Sequence, residues 1–166
     1  MSKALTVINA TSGQGGAIAA AATQEFVTMR IGKQLFGISV LAVQDVLRRQ
    51  TIAPVPLSPS VVAGSLNLRG RIVTAIDMRA RLELGPYPQP DTIMMAVVEY
   101  QHELFALMID QVGDVLQLAM NRFEKVPSNM DATWRGMAAG VFKLEGELLV
   151  ILDVASVIDH IQGIAA

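Results

Sequence analysis

The chain has 166 residues, of which 52% are hydrophobic and 17% are charged, and its formal net charge is −2. With one tryptophan, two tyrosines and five phenylalanines, it lacks the basic surface and the stacking aromatic side chains that bind nucleic acid. The absence of cysteine excludes disulfides, thiol catalysis and cysteine-ligated metals. The mean hydropathy is high, +0.43. Nevertheless, no apolar run approaches the ~20 residues of a membrane-spanning helix, so we expect a cytoplasmic protein without membrane insertion.

The first half of the chain predicts short strands separated by turns. Residues 1–24 are small and polar and predict a flexible tail. Two short runs on either side of Gly32 and Lys33 predict a β-hairpin that begins at Glu25. The next segment, Ser39–Leu47, fits either a short helical turn or a bent strand. Three closely spaced prolines then predict an extended connection over the surface, at residues 52–60.

The stretch AGSLNLRGRIVTAID, residues 63–77, predicts two strands that meet at Arg69 and Gly70. Asn67 and Leu68 belong to the same turn motif, in which the glycine supplies the backbone freedom of a tight turn. A turn does not require arginines on both sides of that glycine, so the cations point to a further role. A helix-compatible segment follows, and a proline-rich boundary ends this half at residues 85–91.

After this boundary the pattern repeats. Gln34–Leu47 aligns without gaps on Glu103–Leu116, and Ala63–Asp77 aligns on Ala139–Asp153. Two blocks in the same order, at offsets of 69 and 76 residues, indicate a tandem of two similar halves. Short strands punctuated by glycine and proline are typical of small barrels or sandwiches.

The sequence offers few groups for catalysis. His102 and His160 stand in no zinc-ligand spacing and are expected to be ordinary exposed residues. Asp77 and Asp153 occupy matching strand ends, where an aspartate caps a following helix; a pair of catalytic carboxylates is the sharper alternative. We therefore expect no enzyme activity, no catalytic residue, no metal site and no cofactor.

The turn charges differ between the halves. The first half has arginines at its turn, whereas the second has Glu145 and Glu147 at the equivalent positions, which makes these acids candidates for a second interface. The forked guanidinium of Arg69 is suited to holding a carboxylate of its own half, for example Asp45, and so to ordering a binding surface.

The segment VVAGSLNLRGRIVTAIDMRARL resembles the chemotaxis coupling protein family, CheW, whose members carry G-x-x-N-L-R-G, an apolar strand and Asp-Leu-Arg. The resemblance extends from about Glu25 to Ile158 and includes VQDV and GVFKLEGELLVILDV. The family commonly has a proline at Thr74, another aliphatic residue at Ala75, leucine at Met78 and a longer acidic side chain at Asp45.

The resemblance implies a mainly β fold of two tandem five-stranded SH3-like barrels with short helical segments. The CheW-like domain would span 25–158, with a first barrel at about 25–84 and a second at about 91–158. A C-terminal end, 159–166, would follow it. It also implies a non-catalytic adaptor between the cytoplasmic tip of methyl-accepting chemoreceptors and the regulatory (P5) domain of the histidine kinase CheA. The residues that would line the receptor groove are Val40, Val43, Asp45 and Arg69.

Two other functions stay open from the sequence. One is a CheW-like scaffold for another receptor–kinase pathway, such as surface motility or biofilm control. The other is a β-barrel that binds a small ligand, which would need a pocket with a few convergent polar groups.

Overall fold

The computed structural model describes Ile8–Asn9 and residues 22–165, and it consists mostly of β-strands. Three single-turn 3-10 helices lie at Val40–Ala42, Pro90–Thr92 and Met120–Arg122. The strands and α-helices are, in chain order, β1 (Ile8–Asn9), β2 (Thr23–Ile31), β3 (Gln34–Ser39), β4 (Val43–Arg48), β5 (Val62–Leu68), β6 (Arg71–Asp77), α1 (Met78–Arg81), β7 (Met94–Tyr100), β8 (Glu103–Ile109), β9 (Gln111–Ala119), α2 (Ala132–Arg135), β10 (Ala138–Leu144), β11 (Glu147–Leu152) and α3 (Val154–Ala165).

The predicted local elements of the first half are present. β2 and β3 form the expected hairpin around the Gly32–Lys33 turn. The ambiguous segment contains both alternatives in succession, since the 3-10 turn Val40–Ala42 leads directly into β4. The proline-rich connection is mostly exposed and pairs with the sheet only through Ala53 and Ser65.

The two halves repeat the same elements. The bounds of β5, Val62–Leu68, map on those of β10, Ala138–Leu144, at the offset of 76 found in the sequence. Even the irregularities correspond: the β5–β6 pair has a bulge between Val62 and Gly64, and the β10–β11 pair has one between Ala138 and Gly140. A glycine accommodates each bulge, because a side chain there would collide with a neighbouring segment.

The strands assemble into two sheets that exchange members between the halves. We call them sheet 1, in the order β1-β9-β2-β3-β11-β10, and sheet 2, in the order β4-β7-β8-β6-β5. Apart from the two-residue β1, each sheet has five strands, two from one half of the chain and three from the other. The predicted fold class, two five-stranded SH3-like barrels, is confirmed.

The sheets do not follow the barrel bounds expected from the sequence, 25–84 and 91–158. After β3, the turn Val40–Ala42 carries the chain from sheet 1 to sheet 2, and after β8 the chain crosses back at Asp110. The expected tail, 1–24, overlaps described strands at Ile8–Asn9 and Thr23–Gln24, and its remaining residues apart from Ala22 lie outside the described part. At the other end, α3 contains 159–165 of the expected C-terminal end.

Several strands are buried on both faces, which explains their unbroken apolar runs. In β7, Met95 and Val97 face the interior of one barrel, whereas Ala96 and Val98 face a core shared with the other barrel. Alternate side chains of a strand point to opposite faces, so a strand between two cores needs apolar residues at every position. The strand β8 follows the same rule.

Three apolar clusters result: a large one between the barrels and one inside each barrel. Helix α3 seals the central cluster with Val157, Ile158 and Ile161. Burial of apolar side chains in these three clusters accounts for the high hydropathy. Within the described residues, no helix is long and apolar enough to cross a membrane.

Candidate functional site

The NLRG segment forms a tight turn between β5 and β6. Both central residues have left-handed backbone, with φ of 52° at Arg69 and 84° at Gly70. The side chain of Asn67 stabilises the turn, because its Oδ1 accepts a hydrogen bond from the Gly70 amide at 2.9 Å. Glycine or asparagine usually occupies such positions, and an arginine there costs about 1–2 kcal/mol of backbone strain. The arginine brings to this turn a cation that glycine or asparagine would not supply.

Arg69 reaches Asp45 on β4. The distance between Arg69 Nη2 and Asp45 Oδ2 is 3.2 Å, and the side chains are 79% and 27% exposed. Asp45 Oδ1 accepts from the Val46 amide at 2.8 Å. Asp45 Oδ2 is shielded from solvent but has no hydrogen bond of good geometry, so its contact with the guanidinium is electrostatic. An exposed pair of this kind contributes only about 0–1 kcal/mol, so it orients the surface more than it stabilises the fold.

The pair connects the two edges of sheet 2. β4 forms one edge and β5 the other, and the Arg69 turn extends from the β5 edge. A backbone bridge at the same closure joins Ser65 on β5 to Ala53 in the connection that follows β4, with both N–H···O distances at 2.8 Å. Arg69 and Asp45 therefore lie where the barrel closes, on its surface.

The predicted groove valines precede Asp45 on the same segment. Val40 lies in the 3-10 turn and Val43 begins β4, and both are half-buried against the central core. A bulge between Val43 and Asp45 inserts one extra residue in β4, which changes the direction of the following side chains. Between the valines, Leu41 is 90% exposed. The segment thus presents apolar and acidic groups together at the surface.

The remaining predicted residues have local roles. Asp77 caps α1, since its Oδ1 accepts from the Ala80 amide at 3.0 Å, and Leu68 packs at the margin of a barrel core. Glu145 is exposed in the β10–β11 turn, while Glu147 forms an ion pair with Arg30 at 2.9 Å. These two acids do not come together with Asp45 and Arg69, as they lie on sheet 1.

Sequence reasoning missed the most buried ion pair, Arg79–Asp110. The side chains are 12% and 18% exposed, and Arg79 Nη2 lies 3.0 Å from Asp110 Oδ2. Arg79 Nε also donates to Asp110 Oδ1 at 3.0 Å, and Nη1 donates to the carbonyls of Leu84 and Pro86. Hydrogen bonding to Asp110 raises the pKa of the Arg79 guanidinium further above its ordinary value. The only sequence signal was an aspartate that ends the apolar run of β8.

A second buried contact adjoins this pair. The Tyr87 hydroxyl donates to the Met108 carbonyl at 2.7 Å, and the guanidinium of Arg79 lies 5.5 Å from the centre of the Tyr87 ring. Burial is the main cause that raises the pKa of Tyr87 above its ordinary value. Tyr87 therefore remains neutral and anchors the linker between the halves on β8.

The described residues contain no group of three or more histidine or acidic side chains that could hold a metal ion. The polar side chains of Arg79 and Tyr87 make their hydrogen bonds to other residues of this protein, Asp110 and Met108. What the geometry provides instead is a surface with an ion pair beside partly buried valines, which is suited to recognising another protein chain.

Comparison with protein families gives a match over residues 25–162 to the CheW-like domain. The chain belongs to the CheW family. Among its relatives, the chemotaxis protein CheW of Rhizobium meliloti (strain 1021) is 26% identical over 134 residues, which cover 81% of this chain and 86% of the relative. The chemotaxis protein CheW of Bacillus subtilis (strain 168) is 25% identical over 136 residues, which cover 82% and 87%.

The fold has a counterpart among solved structures of the family. The scaffolding protein TtCheW from Thermoanaerobacter tengcongensis superposes with a TM-score of 0.72 at 23% identity, covering 80% of this chain and 90% of that one. At this identity the likeness shows the fold, and the family assignment depends on the sequence match.

Proposed function

We propose that this protein is a non-catalytic, cytoplasmic adaptor that couples chemoreceptors to the histidine kinase CheA in bacterial chemotaxis. Its membership of the CheW family over residues 25–162 is the observation that carries the proposal. Relatives that bear the name chemotaxis protein CheW match about four fifths of the chain, which supports the chemotaxis pathway over another receptor–kinase pathway.

The receptor contact belongs to the surface around Asp45 and Arg69. A receptor tip is an amphipathic helical element, and such a helix binds where apolar side chains adjoin charged ones. Val40 and Val43 provide half-buried apolar groups on the segment that ends at Asp45, and Arg69 holds that carboxylate in place. The regulatory domain of CheA is the second partner, and the exposed acids Glu145 and Glu147 are our candidates for a further interface.

Titration calorimetry with purified partners tests this function. Wild-type protein is titrated with a receptor cytoplasmic-tip fragment and, separately, with the regulatory domain of the kinase; it should bind both. Arg69→Ala removes the cation beside Asp45 and should weaken receptor binding about tenfold, corresponding to ~1.4 kcal/mol. Arg71→Ala is the matched control, because Arg71 is an exposed cation on the other side of Gly70; it should change the affinity less than twofold.

Circular dichroism on each variant verifies that the fold is intact. The adaptor proposal is wrong if the wild type binds neither partner. If both arginine variants weaken receptor binding equally, the effect is one of general charge, and the assignment of Arg69 is wrong while the adaptor function stands.

A further inference from the structure

Because the two halves repeat, the boundary between the barrels contains two equivalent crossing points of the chain, which we call seams. At each seam the chain crosses from one sheet to the other beside a helix that follows the last strand of a half. The first crossing, Val40–Ala42, lies near the start of α3, and a cavity of about 290 Å³ between them is lined by Ser39, Ala42, Asp153 and Val154, among others. The second crossing is at Asp110, beside α1. The crossings at Val40–Ala42 and at Asp110 therefore occupy equivalent positions in the two halves.

The two seams carry different chemistry. By the offsets of the repeat, Asp110 corresponds to Leu41 and Arg79 corresponds to Ala155. The second seam is consequently closed by an ion pair, whereas the first has an exposed leucine and an alanine, which cannot form one. Leu41 is 90% exposed, against 18% for the side chain of Asp110.

The closed seam joins three separate parts of the chain. Asp110 accepts from Arg79 of α1, and its Oδ2 also accepts from the Gly32 amide, in the β2–β3 turn of sheet 1, at 2.6 Å. Asp110 itself is the single residue between β8 of sheet 2 and β9 of sheet 1. A two-pronged guanidinium–carboxylate contact with little exposure fixes direction as well as distance. Its bonds thus span the boundary between the barrels.

We propose that Arg79 and Asp110, which we call the latch, are positioning residues that fix the angle between the two barrels and thereby set the position of the other crossing, whose Val40 belongs to the proposed receptor surface. This inference rests on the proposed adaptor function for its final clause, and on the described contacts for the rest. Because the barrels share one central core, a change of angle at one seam alters the separation at the other.

Distances between spin labels test the angle directly. The chain contains no cysteine, so Glu25→Cys on β2 and Glu99→Cys on β7 attach one label to each sheet at exposed positions. Wild type should give one narrow distance distribution. Asp110→Asn, which retains an acceptor for the Gly32 amide, and Arg79→Lys, which retains the charge, should each widen or shift it, and Arg79→Met should do so most.

Binding is measured on the unlabelled variants with the same receptor-tip fragment. Asp110→Asn, Arg79→Lys and Arg79→Met, the latch variants, should each weaken receptor binding at least fivefold, although none of them changes a residue of the receptor groove. Leu118→Ala is the stability control, since Leu118 is buried inside one barrel and belongs to its separate core. It should lower the melting temperature while leaving the label distances and the receptor affinity unchanged.

Each result decides one part of the proposal. Unchanged label distances in all three latch variants would overturn the positioning role, whatever the receptor does. Altered distances with wild-type receptor affinity would overturn the link between latch and groove. A wild type that does not bind the receptor fragment would contradict the proposed function, and the distances would still test the latch.

Discussion

At the scale of single residues, the NLRG turn combines a tight backbone geometry with a cation that reaches another strand. Gly70 and Asn67 supply the turn, through a positive φ and a side-chain hydrogen bond. Arg69 adopts a strained backbone conformation, and its side chain forms an ion pair with Asp45. Neither the turn nor the barrel needs that cation for stability, so its contribution lies in the surface it orders.

Gly64 shows how one residue maintains barrel closure. Its φ of 148° is rarely adopted by other residues, and a Cβ would collide with the carbonyl oxygen of Ala53, the partner of Ser65 in the closing bridge. We expect Gly64→Ala to lower the free energy of unfolding by about 3 kcal/mol or more, because the backbone must move to relieve the collision. Urea denaturation followed by circular dichroism measures the change.

Gly70→Ala is the matched control for this substitution. Gly70 also has a positive φ, but an added Cβ would meet no atom within 4 Å. It should therefore cost only the strain of the left-handed conformation, about 1–2 kcal/mol. Equal losses in the two variants would show that backbone strain, rather than contact with Ala53, makes Gly64 necessary.

At the scale of elements, burial on one or two faces decides the residue pattern. β7 and β8 are packed between a barrel core and the central core, whereas β5 and β6 also contain exposed residues, such as Asn67 and Ile72. Helix α3 is buried on one side only, where Val157, Ile158 and Ile161 cover the central core, while Asp159 is exposed.

The packing of α3 can be measured with one pair of isoleucines. Ile158 on α3 is fully buried, and Ile72 on β6 is 70% exposed. Ile158→Ala should lower the free energy of unfolding by about 3 kcal/mol, since it leaves a cavity in the central core. Ile72→Ala should change it by about 0.5 kcal/mol or less. A small effect at Ile158, comparable to that at Ile72, would mean that α3 does not stabilise the core; thermal and urea unfolding both report it.

At the scale of the whole molecule, each barrel is completed by the other half of the chain. If the two-residue β1 is left out of the count, the first strand of each half pairs with the third strand of the other, as in β2 with β9 and β7 with β4. The second strand of each half pairs with the last strand of the other in parallel, as in β3 with β11 and β8 with β6. Neither half contains a complete five-stranded barrel.

Two fragments divided in the exposed linker test this dependence. Residues 1–88 and 89–166, expressed separately, should each be unfolded, because each fragment lacks at least two strands of each sheet. Mixed in equal amounts, they should regain the fold. Trp134 reports the assembly by fluorescence, since its ring lies 5.5 Å from that of Phe36 and its indole N–H donates to Leu82, both on the other fragment. Cooperative unfolding of fragment 1–88 by itself would contradict the interdependence.

Sequence reasoning reached local structure and the repeat, and through the NLRG motif it reached the family. It also offered Asp45 as an example of a carboxylate that Arg69 could hold, because a tight turn does not require arginines beside its glycine, and this ion pair is present. It did not find Arg79–Asp110, since a charge pair 31 residues apart has no periodicity that would join its members.

By itself, the sequence determined where strands and turns occur, because alternation, glycine and proline act over a few neighbouring residues. It also determined that the halves are alike. Only the tertiary structure decided which strands share a sheet, since hydrogen bonds between strands do not depend on which residues donate them. It likewise decided that an ion pair closes one seam between the barrels, because Asp110 and Arg79 meet only across the fold.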